Sequence, residues 1–581
     1  MTKNKELARI FDRMADALEF LGEIPFKVVA YRKAARVLED LPEDVEEIYR
    51  QGGMAALMRL PGIGEGIAKK IAQYLDEGRI DRYEEVMRQV PQDLLDLMEV
   101  QGIGPRTLRL AYEKLGVRTK EDFKRALEDG SLARLPGMGP KKIENIKRGL
   151  ELYERMAQRI PLGAAYPLVQ DIVEALRALP EVLEISPAGS FRRMKETVGD
   201  LDILVAARPE HGRQVIQAFV SLPQVTQVLA AGDTKGSAIF QDRYQVDLRV
   251  VPPESYGAAL QYFTGSKAHN VHLRGIARGM GLKISEYGVF RGPEKIAGET
   301  EESVYRAVGL VWIPPELRED RGEIEAAQRG QLPRLVEYQE IRGDLHVHSR
   351  YSDGTATLEE LAHFGQRMGY EYLAVCDHSQ SVKYARGLEI ERLRKKNQEI
   401  DRLNAHLQGF RLLKGTEVDI LPDGSLDYPD EVLAELDFVV ASVHQWRKGE
   451  DVTERILRAM ENPFVHAIGH PTGRLISTRE GYRVDVEALI QKARETGTFL
   501  EINAYYERLD LNDVHARLAG EQGVLLVIGT DAHQAGQLWQ MRLGVGVARR
   551  AWLGPHHIVN TRPLTELLEL LQAKRRKRGM R

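Results

Sequence analysis

The sequence predicts a multidomain chain: a helical N-terminal region, a middle α+β domain and a C-terminal distorted βα barrel of seven strands. Three observations carry this. A Gly-apolar-Gly turn recurs three times within residues 1–150. Short alternating strands bearing acids occur between about residues 160 and 312. From Arg342 onward, apolar runs alternate with amphipathic helical patterns, as in parallel sheets with helical crossovers. A single core rarely grows past roughly 250–300 residues, so a chain of 581 is expected to hold several domains.

Net charge is −4, which by itself announces no nucleic-acid partner. The distribution says more. Residues 101–150 carry 12 Lys/Arg against 6 Asp/Glu, a local excess suited to phosphates. The tail Lys574-Arg575-Arg576-Lys577-Arg578 reads first as a solvated terminus. Cys376 is the single cysteine, so no disulfide framework forms, and its apolar run Leu373–Cys376 predicts a buried strand. The N-terminal pattern Leu7, Ile10, Phe11, Met14, Leu18 is amphipathic, unlike a signal peptide, and no segment is apolar enough to span a bilayer. A cytoplasmic, nucleoid-associated protein is expected, with a monomer as the default.

In the first region, Leu60-Pro-Gly-Ile-Gly-Glu-Gly-Ile-Ala-Lys-Lys-Ile71 returns as Val100-Gln-Gly-Ile-Gly-Pro-Arg-Thr-Leu-Arg-Leu-Ala111. It returns again as Leu135-Pro-Gly-Met-Gly-Pro-Lys-Lys-Ile-Glu-Asn-Ile146. Paired glycines let the backbone turn sharply and present N–H groups at a helix N-terminus, where an anion is favoured. The repeat resembles the helix-hairpin-helix element, which implies a grip on DNA phosphates through Gly62, Gly64, Gly102, Gly104, Gly137 and Gly139.

In the middle region, Gly189-Ser190-Phe191-Arg192-Arg193 precedes Gly199-Asp200-Leu201-Asp202-Ile203. Strand alternation puts Asp200 and Asp202 on one face, and Asp247 sits in a second alternating strand. Carboxylates this close need a cation. Oxygen-only ligands suit Mg²⁺ or Mn²⁺, and two ions roughly 4 Å apart suit nucleotidyl transfer to a 3′-hydroxyl. Gly189, Ser190 and Arg193 are placed to hold a triphosphate.

Residues 1 to about 312 resemble the family X DNA polymerases, the family of DNA polymerase beta. Tyr262-Phe263-Thr264-Gly265-Ser266 matches that family's nucleotide-pocket segment. The resemblance implies that Tyr262 and Phe263 pack against the sugar, Asn270 meets the incoming base or minor groove, and Arg274 touches the template. Lys267-Ala268-His269 departs from the animal sequences. The resemblance also implies a lyase: Lys70 aligns with the family's Schiff-base lysine, although Gly66 replaces a supporting lysine. Positive charge at Lys69, Lys27 and Arg82 is expected to lower its pKa.

The C-terminal part, from Arg342 on, holds 12 of the 15 histidines, concentrated just after apolar runs. Asp344-Leu345-His346-Val347-His348, Asp353, Cys376-Asp377-His378, Glu417, Val443-His444, Gly469-His470 and Asp531-Ala532-His533 fall in nearly every case at the ends of apolar runs, which number seven candidate strands once Phe499–Ile502 is included. A parallel barrel gathers strand C-termini into one basin. Imidazole and carboxylate donors together suit Zn²⁺, Mn²⁺ or Fe²⁺. His363, His406, His466, His515, His556 and His557 read instead as ordinary polar residues.

This half resembles the PHP (polymerase and histidinol phosphatase) phosphoesterase domain, matching its signature at His346, His348, Asp353, His378, Glu417, His444, His470, Asp531 and His533. The resemblance implies up to three ions: one on His346, His348, Glu417 and Asp531, a second on Glu417, His444 and His470, and a third on Asp353, His378 and His533. Together the halves resemble a bacterial family X DNA polymerase with a PHP domain.

That implies template-directed filling of short gaps in gapped or nicked double-stranded DNA from dNTPs. It also implies a metal-dependent 3′–5′ exonuclease, with abasic-site endonuclease or 3′-phosphatase activity as further options. The expected domains are 1–90 (lyase-like, helix-hairpin-helix), 91–160 (two more such elements, fingers or thumb type), 161–250 (palm), 251–313 (nucleotide pocket), 314–340 (linker) and 341–581 (PHP). Other readings stay open: a polymerase whose barrel metals are structural, a template-independent transferase, and a non-catalytic DNA-end scaffold.

Overall fold

The computed structural model describes residues 3–39, 41, 45–60, 62–99, 103–157, 159–447 and 449–577. They divide into two compact bodies, Met1–Gln158 with Lys267–Lys283, and Arg159–Ser266 with Ile284–Arg581.

The first body is helical. Leu7, Phe11, Met14 and Leu18 of helix Lys3–Leu21 are buried, and Phe11 lies 5.9 Å from the Tyr31 ring of helix Pro25–Glu39. The three repeats have a common local form. Gly62 (φ 92°) and Gly137 (φ 79°) take the left-handed conformation that favours glycine. An apolar residue then anchors each turn in the core: Ile63, Ile103 and Met138 are all buried. Gly64, Gly104 and Gly139 stand directly before helices Glu65–Glu77, Pro105–Leu115 and Pro140–Ala157, with open space where a Cβ would lie. Gly102 lies outside the described residues.

The second body begins with a five-stranded sheet in the order Glu184–Pro187, Leu201–Ala206, Tyr244–Val251, Lys235–Phe240, Val225–Ala231. Leu201–Ala206 and Tyr244–Val251 are parallel neighbours, and their register sets Asp202 directly beside Asp247. The stretch 314–340, rich in Pro and charge, is packed rather than loose. Leu317, Ile324, Leu335 and Val336 are buried, and so is Arg318.

Seven strands then form a parallel barrel in sequence order: Gly343–Val347, Tyr372–Val375, Arg411–Asp419, Phe438–Ser442, Ala467–Ile468, Phe499–Asn503 and Leu526–Gly529. The first strand and the chain after the seventh meet through His348 N–H on Ala532 O (2.9 Å) and Asp531 N–H on His346 O (2.8 Å). Cys376 is buried, as its apolar run predicts. Helix Leu564–Lys577 plugs the end of the barrel where the strands begin, with Leu567 and Leu571 packed among Leu345, Tyr372, Phe438 and Phe499. Lys574 is buried there, donating to Thr498 Oγ1 (2.8 Å) and to Val465 O, while Arg575 donates to Leu436 O. The basic tail is therefore committed to strand ends as far as Arg575 rather than solvated.

The barrel packs on the five-stranded domain through polar and aromatic contacts. Arg550, held within the barrel by Asp513 (2.9 Å), donates to Arg193 O (2.8 Å) and to Glu319 (3.0 Å) of the 314–340 stretch, and Arg474 pairs with Glu196 at 2.7 Å. Tyr166 stacks between Phe191 (5.6 Å) and Trp539 (5.2 Å).

Candidate active sites

The acid triad forms at one edge of the five-stranded sheet. Asp200, Asp202 and Asp247 each bring a carboxylate oxygen to within 4.8 Å of the others, with Asp200 exposed and the other two half-buried. Burial first, and then the negative charge of Asp200 and Asp247, pushes the Asp202 carboxyl up to about 7. That is a site short of positive charge, and a divalent cation fits it. Ser237 Oγ donates to Asp247 at 2.5 Å, and Lys235 stands 3.8 Å from the same carboxylate. Neither residue stands out in the sequence, because both lie on the neighbouring strand with no motif around them.

Gly189 is constrained twice: its φ is 58°, and a Cβ would come within 2.6 Å of Asp202 Oδ2. Only glycine lets the helix Gly189–Arg192 start against that acid. Ser190 follows on this turn. Arg193 is occupied: its Nε meets Glu319 at 3.0 Å and its NH1 donates to Thr264 O at 2.5 Å. Contact with a triphosphate therefore requires Arg193 to exchange Glu319 for phosphate. Its neighbour Arg192 binds Glu301 with two bonds (2.7 and 2.8 Å), and buried Arg318 and Trp312 share the same carboxylate (2.6 and 2.9 Å). Despite burial, the arginines hold Glu301 well below the usual carboxylate range.

Tyr262 and Phe263 meet edge-to-face at 5.2 Å near the end of helix Tyr256–Thr264, and the Arg249 guanidinium lies 4.5 Å over Phe263. Gly265 ends that helix at φ 68°. Asn270, buried, and Arg274, half-buried, lie on helix Lys267–Gly279 in the first body. In that body Lys70 sits 5.8 Å from the Tyr31 ring and donates to Gly66 O at 2.9 Å. Burial, and secondarily Arg82, lowers its pKa. Lys27 and Lys69 are instead paired with Glu23 (3.0 Å) and Glu65 (2.7 Å), which blunts the help expected of them.

At the C-terminal ends of the barrel strands, the nine histidines and acids converge. Glu417 is central: His378 Nδ1 (2.8 Å), His470 Nε2 (2.9 Å), His444 Nε2 (3.3 Å), and His346 and His348 Nε2 (3.7 Å each) surround its two oxygens. Asp531 lies 3.1 Å from His348, and Asp353 lies 3.3 Å from His533 and 3.6 Å from His378. Three groups have metal-binding spacing: His348, Asp353, His378 and His533; His346, His348 and Glu417; and His378, Glu417 and His444. His348 Nδ1, His470 Nδ1 and Glu417 Oε2 are buried without hydrogen-bond partners, which a bound cation would remedy for atoms facing it. Burial, with His533 and His378 beside it, pushes His348 down to about 4, keeping it the neutral imidazole a metal requires. His470 (φ 28°) and Asp531 (φ 53°) hold left-handed backbones, strain that is common at functional sites.

Behind the nine stands a second set. Glu501 Oε1 lies 2.6 Å from His346 Nδ1, and its other oxygen accepts from His470 N (2.6 Å) and Asn503 Nδ2 (3.1 Å). Asp419 is 3.2 Å from His444 Nδ1. Asp377 accepts from Ser349 and Ser352 hydroxyls (2.7 and 2.6 Å) in the loop leading to Asp353, with buried Lys396 3.5 Å away. Glu501 carried no sequence signal beyond its place on the sixth strand. His466 is a core residue: it stacks on Phe438 at 5.6 Å and accepts from Val439 N.

A carboxylate triad on a sheet with a glycine-led turn, joined to a βα barrel lined with histidine, defines a two-site metal-dependent class of protein. Comparison with known families narrows it. The chain matches the models for a helix-hairpin-helix domain (residues 2–80), a SAM-like helix-hairpin-helix tandem (94–151), the DNA polymerase beta palm (159–238) and thumb (259–319), and the PHP domain (344–505). It is 41% identical over 574 residues to the DNA polymerase/3′-5′ exonuclease PolX of Bacillus subtilis (strain 168), covering 98% of this chain and 99% of that protein. DNA polymerase lambda of Arabidopsis thaliana is 26% identical over 348 residues, 54% of this chain and 62% of that one. A probable phosphatase of Acetivibrio thermocellus is 33% identical over 202 residues, 33% of this chain and 78% of that one. The chain belongs to the bacterial family X DNA polymerases that carry a C-terminal PHP domain.

Proposed function

We propose that this protein is a template-directed DNA polymerase that fills short gaps during repair, and a 3′–5′ exonuclease whose hydrolytic site is the barrel. The near full-length likeness to a protein named DNA polymerase/3′-5′ exonuclease carries the reading. Two separate sets of metal donors in one chain support it. The substrates are gapped or nicked double-stranded DNA and dNTPs. Among the described residues no helix is long and apolar enough to cross a membrane. A DNA substrate places the protein, in this reading, in the cytoplasm and in association with the nucleoid.

In the palm, Asp200, Asp202 and Asp247 hold the cations, two Mg²⁺ or Mn²⁺, while Gly189, Ser190 and Arg193 bind the triphosphate. Tyr262, Phe263, Gly265, Asn270 and Arg274 shape the nucleotide and template contacts. In the barrel, Mn²⁺, Zn²⁺ or Fe²⁺ sits among His346, His348, Asp353, His378, Glu417, His444, His470, Asp531 and His533. When bound, these ions supply charge for attack by a 3′-hydroxyl and departure of pyrophosphate in one site, and for attack by water on a phosphodiester in the other. Glu501 and Asp419 orient His346 and His444 so that each Nε2 faces the centre. The exposed helix starts after Gly64, Gly104 and Gly139 bind DNA phosphates. A 5′-deoxyribose-phosphate lyase on Lys70 is part of the same reading, since burial lowers the pKa of that amine.

The test is a duplex with a one-nucleotide gap and a labelled primer, incubated with Mn²⁺ with and without dNTPs. Asp200→Ala/Asp202→Ala is expected to lose extension and keep shortening, and His348→Ala to do the reverse. Wild type that extends but never shortens the primer would reduce the barrel to a structural role.

A further inference from the structure

The barrel mouth carries positive charge that the metal donors do not explain. Arg508 Nε stands 3.4 Å from Asp531 Oδ2, and its side chain is mostly buried. Its backbone is fixed from several sides. Arg474 donates to Arg508 O (3.1 Å) and Leu509 O (2.6 Å), Asn503 N donates to Asp510 O (2.6 Å), and the Asp510 carboxylate accepts from Thr472 and Gly473 N–H groups (2.9 and 3.0 Å). Leu509 is held at φ 41°. A loop so constrained aims the one guanidinium it presents.

Arg479 is the second cation. It is exposed, donates to Gly473 O at 3.0 Å, and lies 4.7 Å over the Trp446 ring. Among the described residues no carboxylate lies within ion-pair distance of it. Gly473 ties the two together, accepting from Arg479 through its carbonyl and donating its N–H to Asp510 in the Arg508 loop. Cations bound among the donors would claim Asp531, the one carboxylate paired with Arg508, and leave both guanidiniums for an anion. A guanidinium matches phosphate oxygens with paired hydrogen bonds.

We propose that Arg508 and Arg479 form a two-phosphate subsite for a DNA 3′ end. Arg508 grips the phosphodiester that is cut, and Arg479, on its Trp446 platform, grips the next phosphate toward the 5′ side. This rests on the hydrolytic reading of the barrel. In that reaction a water oxygen bonds to phosphorus, the bond to the 3′-oxygen of the penultimate nucleotide breaks, and that oxygen takes a proton. A nucleoside 5′-monophosphate is released. Arg508 is placed to stabilise charge on the phosphate as the bond breaks, and Arg479 to bind without taking part.

The experiment uses the full chain with Asp200→Ala/Asp202→Ala, loaded with Mn²⁺. Its substrates are a labelled single-stranded 20-mer, which offers both phosphates, and thymidine 5′-monophosphate p-nitrophenyl ester, which offers one. Arg508→Ala is expected to lower kcat about 100-fold on both, with Mn²⁺ content by atomic emission unchanged and partial recovery in Arg508→Lys. Arg479→Ala is expected to raise KM for the 20-mer about tenfold while the ester stays within about twofold. It should also flatten the salt dependence of log KM by about 0.7, the loss of one single-strand phosphate contact. Loss of Mn²⁺ in proportion to activity in Arg508→Ala would make that arginine only a partner of Asp531 and overturn the proposal. Equal effects of Arg479→Ala on both substrates, or none on either, would overturn it too. If the parent chain cuts neither substrate, the hydrolytic reading itself has failed and the subsite falls with it. If it cuts both and the arginine variants match it, the subsite alone has failed.

Discussion

The palm triad and the barrel centre both gather acids around a place for cations, but by opposite means. The palm uses three carboxylates and leaves Asp200 exposed and Asp202 strained toward protonation. The barrel buries its centre, uses imidazoles, and backs them with carboxylates such as Glu501 and Asp419. An open, oxygen-only site suits ions that arrive with substrate and leave with product. A closed site with oriented imidazoles suits ions that stay. The contrast is between a site finished by its substrate and one finished by its fold.

The sharpest break of that contrast falls on Glu417, whose oxygens lie against five histidines. Glu417→Gln is expected to lower exonuclease activity by about 10³-fold or more, the scale of a lost metal function, with gap filling within about twofold. An equal fall in gap filling would show that the two sites are not independent. Next comes Glu501→Gln, which weakens the hold on His346. Manganese affinity, read against a chromophoric chelator, should fall about 10- to 100-fold while the fold survives. Unchanged affinity would make Glu501 a packing residue.

A smaller effect is expected in the palm. Glu319→Gln releases Arg193, so the KM for dNTP should fall about threefold, the worth of a modest hydrogen bond. A rise would mean that the Glu319–Arg193 pair helps binding as it stands. The smallest effect concerns stability. Because the folded Asp202 carboxyl is raised to about 7, the folded chain holds more protons than the unfolded one between the ordinary carboxylate range and that value. Stability from this group therefore falls as pH rises through that window. Metal-free Asp202→Asn should gain roughly 1–2 kcal/mol at pH 8 and almost nothing at pH 4, measured by thermal unfolding. A flat difference with pH would remove the charge argument.

Much of this was legible in the sequence for physical reasons. The seven apolar runs are buried strands of a parallel sheet, whose strands are apolar on both faces, so periodicity and spacing reveal them. The three Gly-apolar-Gly turns show because left-handed φ demands glycine at Gly62 and Gly137. The donors at strand ends show because a barrel brings those ends together. What the sequence hid depends on distance through space. Glu301 between Arg192 and Arg318, Ser237 on Asp247, and Glu501 behind His346 are ordinary residues until the fold makes them neighbours. The expectation of a solvated tail fails at Lys574 and Arg575 because composition does not show that these two side chains end beneath the barrel. The expected support of Lys70 by Lys27 and Lys69 missed because local ion pairs claim both.

The closure of the barrel also sets an order of assembly. Thr530 holds Asp344 across 186 positions of chain, and Asn560 holds Gly343 across 217. During translation, N-terminal segments leave the ribosome first and domains fold as units, so the palm strands are available before the seventh barrel strand has been made. The palm acids Asp200, Asp202 and Asp247 are therefore made before Asp531 and His533, and the donor set of the barrel is completed after that of the palm.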